Sequence, residues 1–376
     1  MINYYQPFLL PFLKLKPDDI PAGLICLYYH SFEDGLWDLL QHRFPGRRLK
    51  FLVPDFYCSD VLDNLKNRGH RYIYYPLDRN FQISVSQFKK YLWLNRPDVV
   101  IIFHACGITS RLFDDTSWLA DLPPHSLIIE DSVHRLLDPR KIKLLSDRHF
   151  VIDSLRKVSP LPGSRLFGSP AALSSFTSHT SYFNRYFMLS SFYYLLFRFV
   201  LALGFVINSA ALVSLAHQQL LKTHDDLIGD SFTPQPGLPV FLPLIHRLNY
   251  AKLNRLKKRQ VTLYRRYFRS IFSSPWFYQP DIPVSDYPHL HIFPLGFTRP
   301  PSSDLARFLR LKHLPVWFKF LDTPWSQSRG VLFLPLGFHV SASDIRRQAT
   351  AFSYWASMDI NSRGAVVAGA QPVFSV

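Results

Sequence analysis

Hydrophobic residues in the first half of the chain gather into short, nearly unbroken runs. Residues 50–54, 71–76, 99–104, 126–130 and 149–154 are such runs, rich in Val, Ile, Leu, Phe and Tyr. A strand buried on both faces needs an unbroken run of that length, and a parallel sheet covered by helices supplies the burial. Between the runs, residues 61–67 and 84–93 carry apolar positions near helical spacing, and Asn67-Arg68-Gly69 closes the first with turn residues. Strand and helix alternate at the intervals of βαβ units, which predicts the α/β class with a mostly parallel sheet.

The pattern changes after Gly168. Residues 192–216 form a stretch of 25 with a single charge, Arg198, inside a longer apolar helical segment at 186–217. That length would reach across a bilayer as a helix. Two readings stand: a membrane contact, or a helix buried in a subunit interface. A charge within a spanning helix costs about 3 kcal/mol on insertion scales, and Gly204, Asn208, Ser209 and Ser214 dilute the stretch, so the interface reading is the stronger.

Residues 247–269 follow, with nine Lys/Arg and no acid, and Leu248, Leu256, Leu263, Tyr264 and Tyr267 give them one partly apolar face. An amphipathic basic helix is predicted, either a solvated face or a surface for a diphosphate or acidic lipid heads. Beyond it, strand-like runs at 289–293 and 331–334 and helical patterns at 302–311 and 341–355, with Ser302 and Ser341 at favourable N-cap positions, predict a smaller α+β unit. The expected organisation is a large α/β domain over 1–245, a small C-terminal domain over 246–357, and a poorly ordered tail over 358–376.

Composition narrows the setting. Three scattered cysteines, Cys26, Cys58 and Cys106, offer neither a disulfide framework nor a CxxC metal site, which suggests a reducing compartment. The opening Tyr4-Tyr5 segment, broken by Pro7 and Pro11, lacks the basic flank and cleavage site of an export signal, so a cytoplasmic protein is expected, with the inner face of the membrane as its one peripheral contact. The 43 Lys+Arg against 27 Asp+Glu give a formal charge of +16, an attraction for phosphates, nucleotides or anionic lipid. No helix-turn-helix glycine turn, zinc spacing or RNP-like aromatic block accompanies that charge, so nucleic acid is not the expected partner. His104, His125, His134 and His149 have no tight metal-ligand spacing, and no metal site is expected.

Candidate chemistry sits at two strand ends. The run at 127–131 ends in Glu130-Asp131, and ligands of open α/β sheets bind at the carboxyl ends of strands. A buried carboxylate there needs a cation or hydrogen bonds, since an uncompensated buried charge costs about 3–5 kcal/mol. Lys157 follows the next predicted strand, and its amine is a nucleophile toward an aldehyde only when neutral, which burial or the neighbouring Arg156 favours. Ser154, at the end of the same strand, has a hydroxyl suited to a phosphate.

In combination, Ile129-Glu130-Asp131-Ser132-Val133-His134 and Ser154-Leu155-Arg156-Lys157-Val158-Ser159-Pro160-Leu161-Pro162-Gly163 resemble the acid block and the lysine segment of the DegT/DnrJ/EryC1/StrS aminotransferases. These are enzymes of fold type I that depend on pyridoxal 5'-phosphate (PLP) and mostly act on nucleotide-linked keto-sugars. Leu52-Val53-Pro54-Asp55-Phe56-Tyr57-Cys58, Tyr75-Pro76-Leu77-Asp78, Phe103-His104-Ala105-Cys106-Gly107 and Leu332-Phe333-Leu334-Pro335-Leu336 are similar to further family segments.

The resemblance implies a seven-stranded, mostly parallel sheet, a smaller C-terminal domain and a homodimer. It makes Lys157 the Schiff-base lysine and Asp131 the partner of the pyridine nitrogen. His134 would lie near the ring's phenolic oxygen or stack by it, and Phe56 or Tyr57 would cover the ring face. The phosphate-binding turn falls at His30-Ser31-Phe32-Glu33-Asp34-Gly35, where Ser31 suits phosphate and the two acids repel it. The expected function is transamination of a nucleotide- or lipid-linked keto-sugar for polysaccharide or secondary-metabolite synthesis, with a small-molecule amino donor. The acids at 33–34 and the apolar stretch keep open a member that retains the fold for binding or assembly without turnover, and a membrane-docked enzyme of envelope synthesis.

Overall fold

A computed structural model describes residues 13–159, 161–176, 185–207, 209–227, 233–299, 305, 308, 317–318 and 322–362. The unbroken apolar runs become the strands of a seven-stranded sheet. In chain order its elements are β1 (Ile25–Tyr29), α1 (Phe32–Arg43), β2 (Lys50–Pro54), α2 (Ser59–Asn67), β3 (Arg71–Tyr75), α3 (Val85–Asn95), β4 (Val99–Phe103), β5 (Leu127–Asp131), β6 (His149–Ile152), the one-turn helix α4 (Leu155–Val158) and β7 (Ser164–Gly168). The strand order is β1-β7-β6-β5-β4-β2-β3, and only β7 runs antiparallel to its neighbours. Every residue of β4 and β5 is buried, the environment their lack of alternation predicts. The α/β class and the mostly parallel seven-stranded sheet stand as expected.

Two strands of this sheet, β1 and β7, lie outside the runs expected from the sequence. β7 carries Arg165 in its middle, and its Nε and Nη2 donate to Asp153 Oδ2 at 2.9 and 2.6 Å, Nη1 to the Tyr250 hydroxyl at 2.9 Å, and Nη2 to the Leu137 carbonyl at 2.9 Å. A charge can sit in a buried strand only when it is paired and hydrogen-bonded, and here all three nitrogens are. β1 depends on β7 for its place, pairing with it from Ile25–Gly168 to Tyr29–Ser164.

After α5 (Pro170–Leu173), the apolar stretch forms α6 (Arg185–Val206), which returns through α7 (Ala210–Leu215), a π turn (Ala216–Leu221) and α8 (Lys222–Leu227). α9 (Leu242–Ile245) leads to the basic helix α10 (Tyr250–Tyr267), which begins at an N-cap, Asn249, whose side chain accepts the Lys252 amide. A second, antiparallel sheet follows, β10-β11-β9-β8, from β8 (Phe277–Tyr278), β9 (Ile292–Phe297), β10 (Trp317–Phe318) and β11 (Gly330–Pro335). α11 (Ala342–Ser362) closes the described chain and packs with α10 over this sheet, where Tyr264 stacks on Phe293 at 4.8 Å and donates to Gln348 Oε1 at 3.0 Å.

The strand expected at 289–293 lies later, because the chain first spends residues 286–291 tying the two sheets together. Thr109 N–H donates to Asp286 Oδ2 at 2.9 Å, and the Leu136 and His291 amides donate to the His289 and His134 carbonyls. The tail expected to start at residue 358 is helical as far as Ser362, since Phe352 and Trp355 pack on Phe277 and draw the helix past the sheet edge. Residues 363–376 lie outside the described residues, as does the helix expected at 302–311 apart from 305 and 308.

Candidate active site

Parallel pairing fixes the site before any side chain is considered. Asp131 is in register with Ile152 on β6, so the end of β5 and the loop carrying Lys157 emerge side by side at the carboxyl edge of the sheet. Neighbouring residues of a strand point to opposite faces, and Glu130 and Asp131 are separated in this way. Glu130 meets His104 Nε2 at 2.9 Å and His149 Nε2 at 3.2 Å. Both imidazoles accept a backbone N–H at Nδ1, from Ser110 and Leu145, which leaves their Nε2 protons for Glu130. Burial opposes the Glu130 charge, but these two donors outweigh it and hold the carboxyl well below the usual range. Glu130 is thereby committed to the fold.

Among the described residues, Asp131 has no such cation in hydrogen-bonding contact. Only 2% of it is exposed, its Oδ2 accepts the Tyr57 hydroxyl at 2.7 Å, and its Oδ1 accepts the Val133 amide at 3.0 Å. Burial pushes its carboxyl up to about 6, although these hydrogen bonds and the charge of Lys157 act the other way. Lys157 also lowers the pull of burial on the Cys58 thiol, which still rises to about 11. Asp131, Tyr57, Cys58 and Lys157 therefore share one neighbourhood, and Glu33 at the start of α1 is close enough to add its repulsion to Asp131.

Lys157 stands on a deliberately small scaffold. Leu155 and Val158 anchor α4 in the core, leaving Arg156 and Lys157 half-buried on its other side. Ser159 Oγ donates to the Leu155 carbonyl at 2.9 Å, and the Leu155 amide donates to the Gly163 carbonyl at 2.9 Å. Gly163 has φ +88°, and a Cβ there would come within 2.4 Å of the Tyr28 ring, so the loop's return requires glycine. Ser154 is the N-cap of α4, and its hydroxyl makes no capping bond.

The other residues singled out in the sequence are placed differently. Phe56 packs at 4.9 Å on Phe81 and 4.8 Å on Trp325, so of the two aromatic candidates Tyr57 is the one at Asp131. His134 lies between Phe103 and the second sheet, 4.9 Å from Phe103, 5.3 Å from His291 and 5.6 Å from Phe333, and its Nδ1 accepts the Cys106 amide. Arg156 pairs with Asp225 on α8, so its charge is compensated rather than directed at Lys157.

Ser31 caps α1, and its hydroxyl donates to Asp34 Oδ2 at 2.6 Å while accepting the Asp34 amide at 3.1 Å. The other Asp34 oxygen accepts the Gln235 amide at 3.0 Å. A carboxylate of the chain itself thus occupies the positive end of the helix, where an external anion would otherwise be favoured. The hairpin from α6 to α8 closes over this corner: His30 Nε2 meets Ser190 Oγ at 2.9 Å, and Ser190 Oγ meets His224 Nδ1 at 2.8 Å. Burial pushes both imidazoles down, to about 3 and about 4, so this trio is neutral at pH 7.

Burial pushes the Asp34 carboxyl up to about 7, against a value near 4 in an unfolded chain. The folded chain holds this proton more tightly than the unfolded one, so the stability it contributes is full below pH ~4 and is lost as pH rises to about 7. Asp34→Asn should flatten that decline and leave the variant more stable than the native chain at pH 8, by on the order of 2 kcal/mol. Urea unfolding across pH 5–8 measures it, and parallel curves for the two proteins would show that Asp34 is not a buried charge.

The whole arrangement has counterparts among solved structures. DesV of S. venezuelae is similar over 88% of this chain and 84% of its own, with 12% identity and a TM-score of 0.57. DesI, solved with its TDP-sugar product, covers 90% and 82% at 15% identity with a TM-score of 0.55. A DegT/DnrJ/EryC1/StrS aminotransferase from Brucella abortus covers 89% and 86% at 13% identity with a TM-score of 0.53. This is the fold type I fold of PLP-dependent aminotransferases. No protein-family model and no curated protein sequence matches the chain.

Against that fold, the residues suit PLP at one end. Asp131 is a buried carboxylate with no cationic hydrogen-bond donor among the described residues, which a protonated pyridine nitrogen would supply, and Lys157 is an amine in its neighbourhood. At the phosphate end the fit is different, because Ser31 and the start of α1 already hold Asp34.

Proposed function

We propose that the protein is a PLP-dependent aminotransferase acting on a keto-sugar carried by a nucleotide or a lipid. The observation that carries this reading is the shared neighbourhood of Asp131 and Lys157 at adjacent carboxyl strand ends in an aminotransferase fold. PLP, when bound, supplies the aldehyde and the electron sink. The chain's residues do the rest. Asp131, oriented by the Tyr57 hydroxyl and the Val133 amide, keeps a fixed negative charge for the ring nitrogen. Lys157 carries the reacting amine and, once released, moves protons at its Nζ. His30, Ser190 and His224, buried against one another, close the start of α1. The basic surface draws an anionic substrate to the protein.

Purified protein given PLP should develop a visible absorbance band, and glutamate should alter it as the amino group is transferred. A protein that is colourless once excess PLP has been removed overturns the proposal. A second reading, binding without turnover, is favoured by one observation, the Asp34 carboxylate at the start of α1. A PLP-dependent band that no amino donor changes would select it.

A further inference from the structure

A surface helix of a globular protein turns a polar face to water. α6 does not. Tyr194, Phe197 and Leu201 bury one side of it, yet the outward side is apolar as well: Met188, Phe192, Leu195, Phe199, Leu203 and Val206 are all exposed. Its one interior cation is turned away from that face. Arg198 donates from Nε to the Tyr194 hydroxyl at 2.8 Å and from Nη2 to the Arg156 and Ser159 carbonyls, both at 3.2 Å.

Between residues 199 and 221 the only titratable side chain is His217. Exposure climbs from 40% at Leu203 to 83% at Val206, where the chain turns into α7. Gly204 permits that turn, for a Cβ there would stand 2.9 Å from Val213 Cγ2. The result is a helical hairpin whose end exposes Val206 and Ile207 and carries no charge. Its segment Arg185–Gly204 is long and apolar enough to cross a bilayer, and only 39% of it is buried, so it is not an ordinary core helix.

A second feature bears on what covers this face. The outward side of α10 exposes Lys252, Arg255, Lys258, Arg259, Arg265 and Arg266, and the helix has no acid. α10 starts beside the hairpin's base: its Tyr250 and Leu253 pack in one cluster with Leu155 and Val158 of α4, and Arg198 of α6 holds the carbonyls of Arg156 and Ser159 in the same loop. A second copy of the chain would cover the apolar face, but two bodies each formally at +16 repel, and the basic helix would have no counterpart. A negatively charged bilayer accepts both features at once.

We propose that the α6–α7 hairpin and the basic face of α10 form a docking surface for anionic phospholipid membranes, with the apolar tip in the headgroup–acyl boundary and the Lys/Arg face on the headgroups. The inference is independent of the cofactor and of turnover. Full-length protein is sedimented with vesicles of phosphatidylcholine alone or of phosphatidylcholine with phosphatidylglycerol.

Binding to the anionic vesicles should be at least roughly tenfold stronger and should weaken with salt. Phe199→Ser with Val206→Ser should reduce binding to both vesicle types. Arg255→Gln, Lys258→Gln and Arg259→Gln together should abolish the anionic preference and its salt dependence. These side chains are exposed, so the variants should keep native melting temperatures. Native protein that stays in the supernatant with both vesicles overturns the proposal, as does unaltered binding by the variants. A dimer in light scattering that splits on Phe199→Ser, without vesicle binding, would assign the face to a second copy instead.

Discussion

Lys157→Ala protein, incubated with PLP and reduced with borohydride, is expected to carry no pyridoxyl group on the peptide spanning α4, whereas the native protein carries one at Lys157. The chain has 15 lysines, so some surface labelling will occur in both proteins, and peptide mapping separates the two cases. Lys157 is half-buried on a helix anchored by Leu155 and Val158, so its truncation leaves the anchor in place and the fold should be unaffected. Loss of proton transfer at this position alone should lower turnover by about 10²–10⁴-fold. A native protein that carries no pyridoxyl group at Lys157, or undiminished turnover by the variant, would remove Lys157 from the chemistry.

Asp153→Ala should be the most destabilising single change near the site, by about 3–5 kcal/mol, because it strands the Arg165 guanidinium in the core. Arg165 would keep the Tyr250 hydroxyl and the Leu137 carbonyl but lose both bonds to Asp153 Oδ2, and its own amide would lose Asp153 Oδ1. Asp153 directly precedes Ser154, so PLP affinity should fall with stability. Asp153→Asn, which retains acceptor oxygen, should fall between the two. Denaturant midpoints measure this series, and a loss below about 1 kcal/mol for Asp153→Ala would mean that water reaches Arg165.

These two residues also mark what the sequence made legible. Central strands such as Val99–Phe103 and Leu127–Asp131 announce themselves because burial on both faces leaves no room for polar alternation. β7 stayed hidden because Arg165 reads as a surface residue until Asp153, 12 positions away, is seen beside it. Asp131 and Lys157 could be singled out from strand ends and family-like spacing, since both are fixed by local chain geometry.

The surroundings could not be read in the same way. His134 turns toward His291 and Phe333, residues whose approach depends on the second sheet. Ser31 is engaged by Asp34, whose other oxygen accepts the Gln235 amide across a separation of 201 residues. Ser190 and His224 reach the start of α1 only because the apolar stretch doubles back on itself, which composition alone does not disclose.

Arg198 gives that doubling back a mechanical sense. Its guanidinium grips the carbonyls of Arg156 and Ser159, one on each side of Lys157, while Asp225 at the hairpin's other end grips the Arg156 side chain. The hairpin and the lysine loop are therefore expected to loosen together as one cooperative unit, so that a force felt at the hairpin would reach Lys157 through two hydrogen bonds and an ion pair.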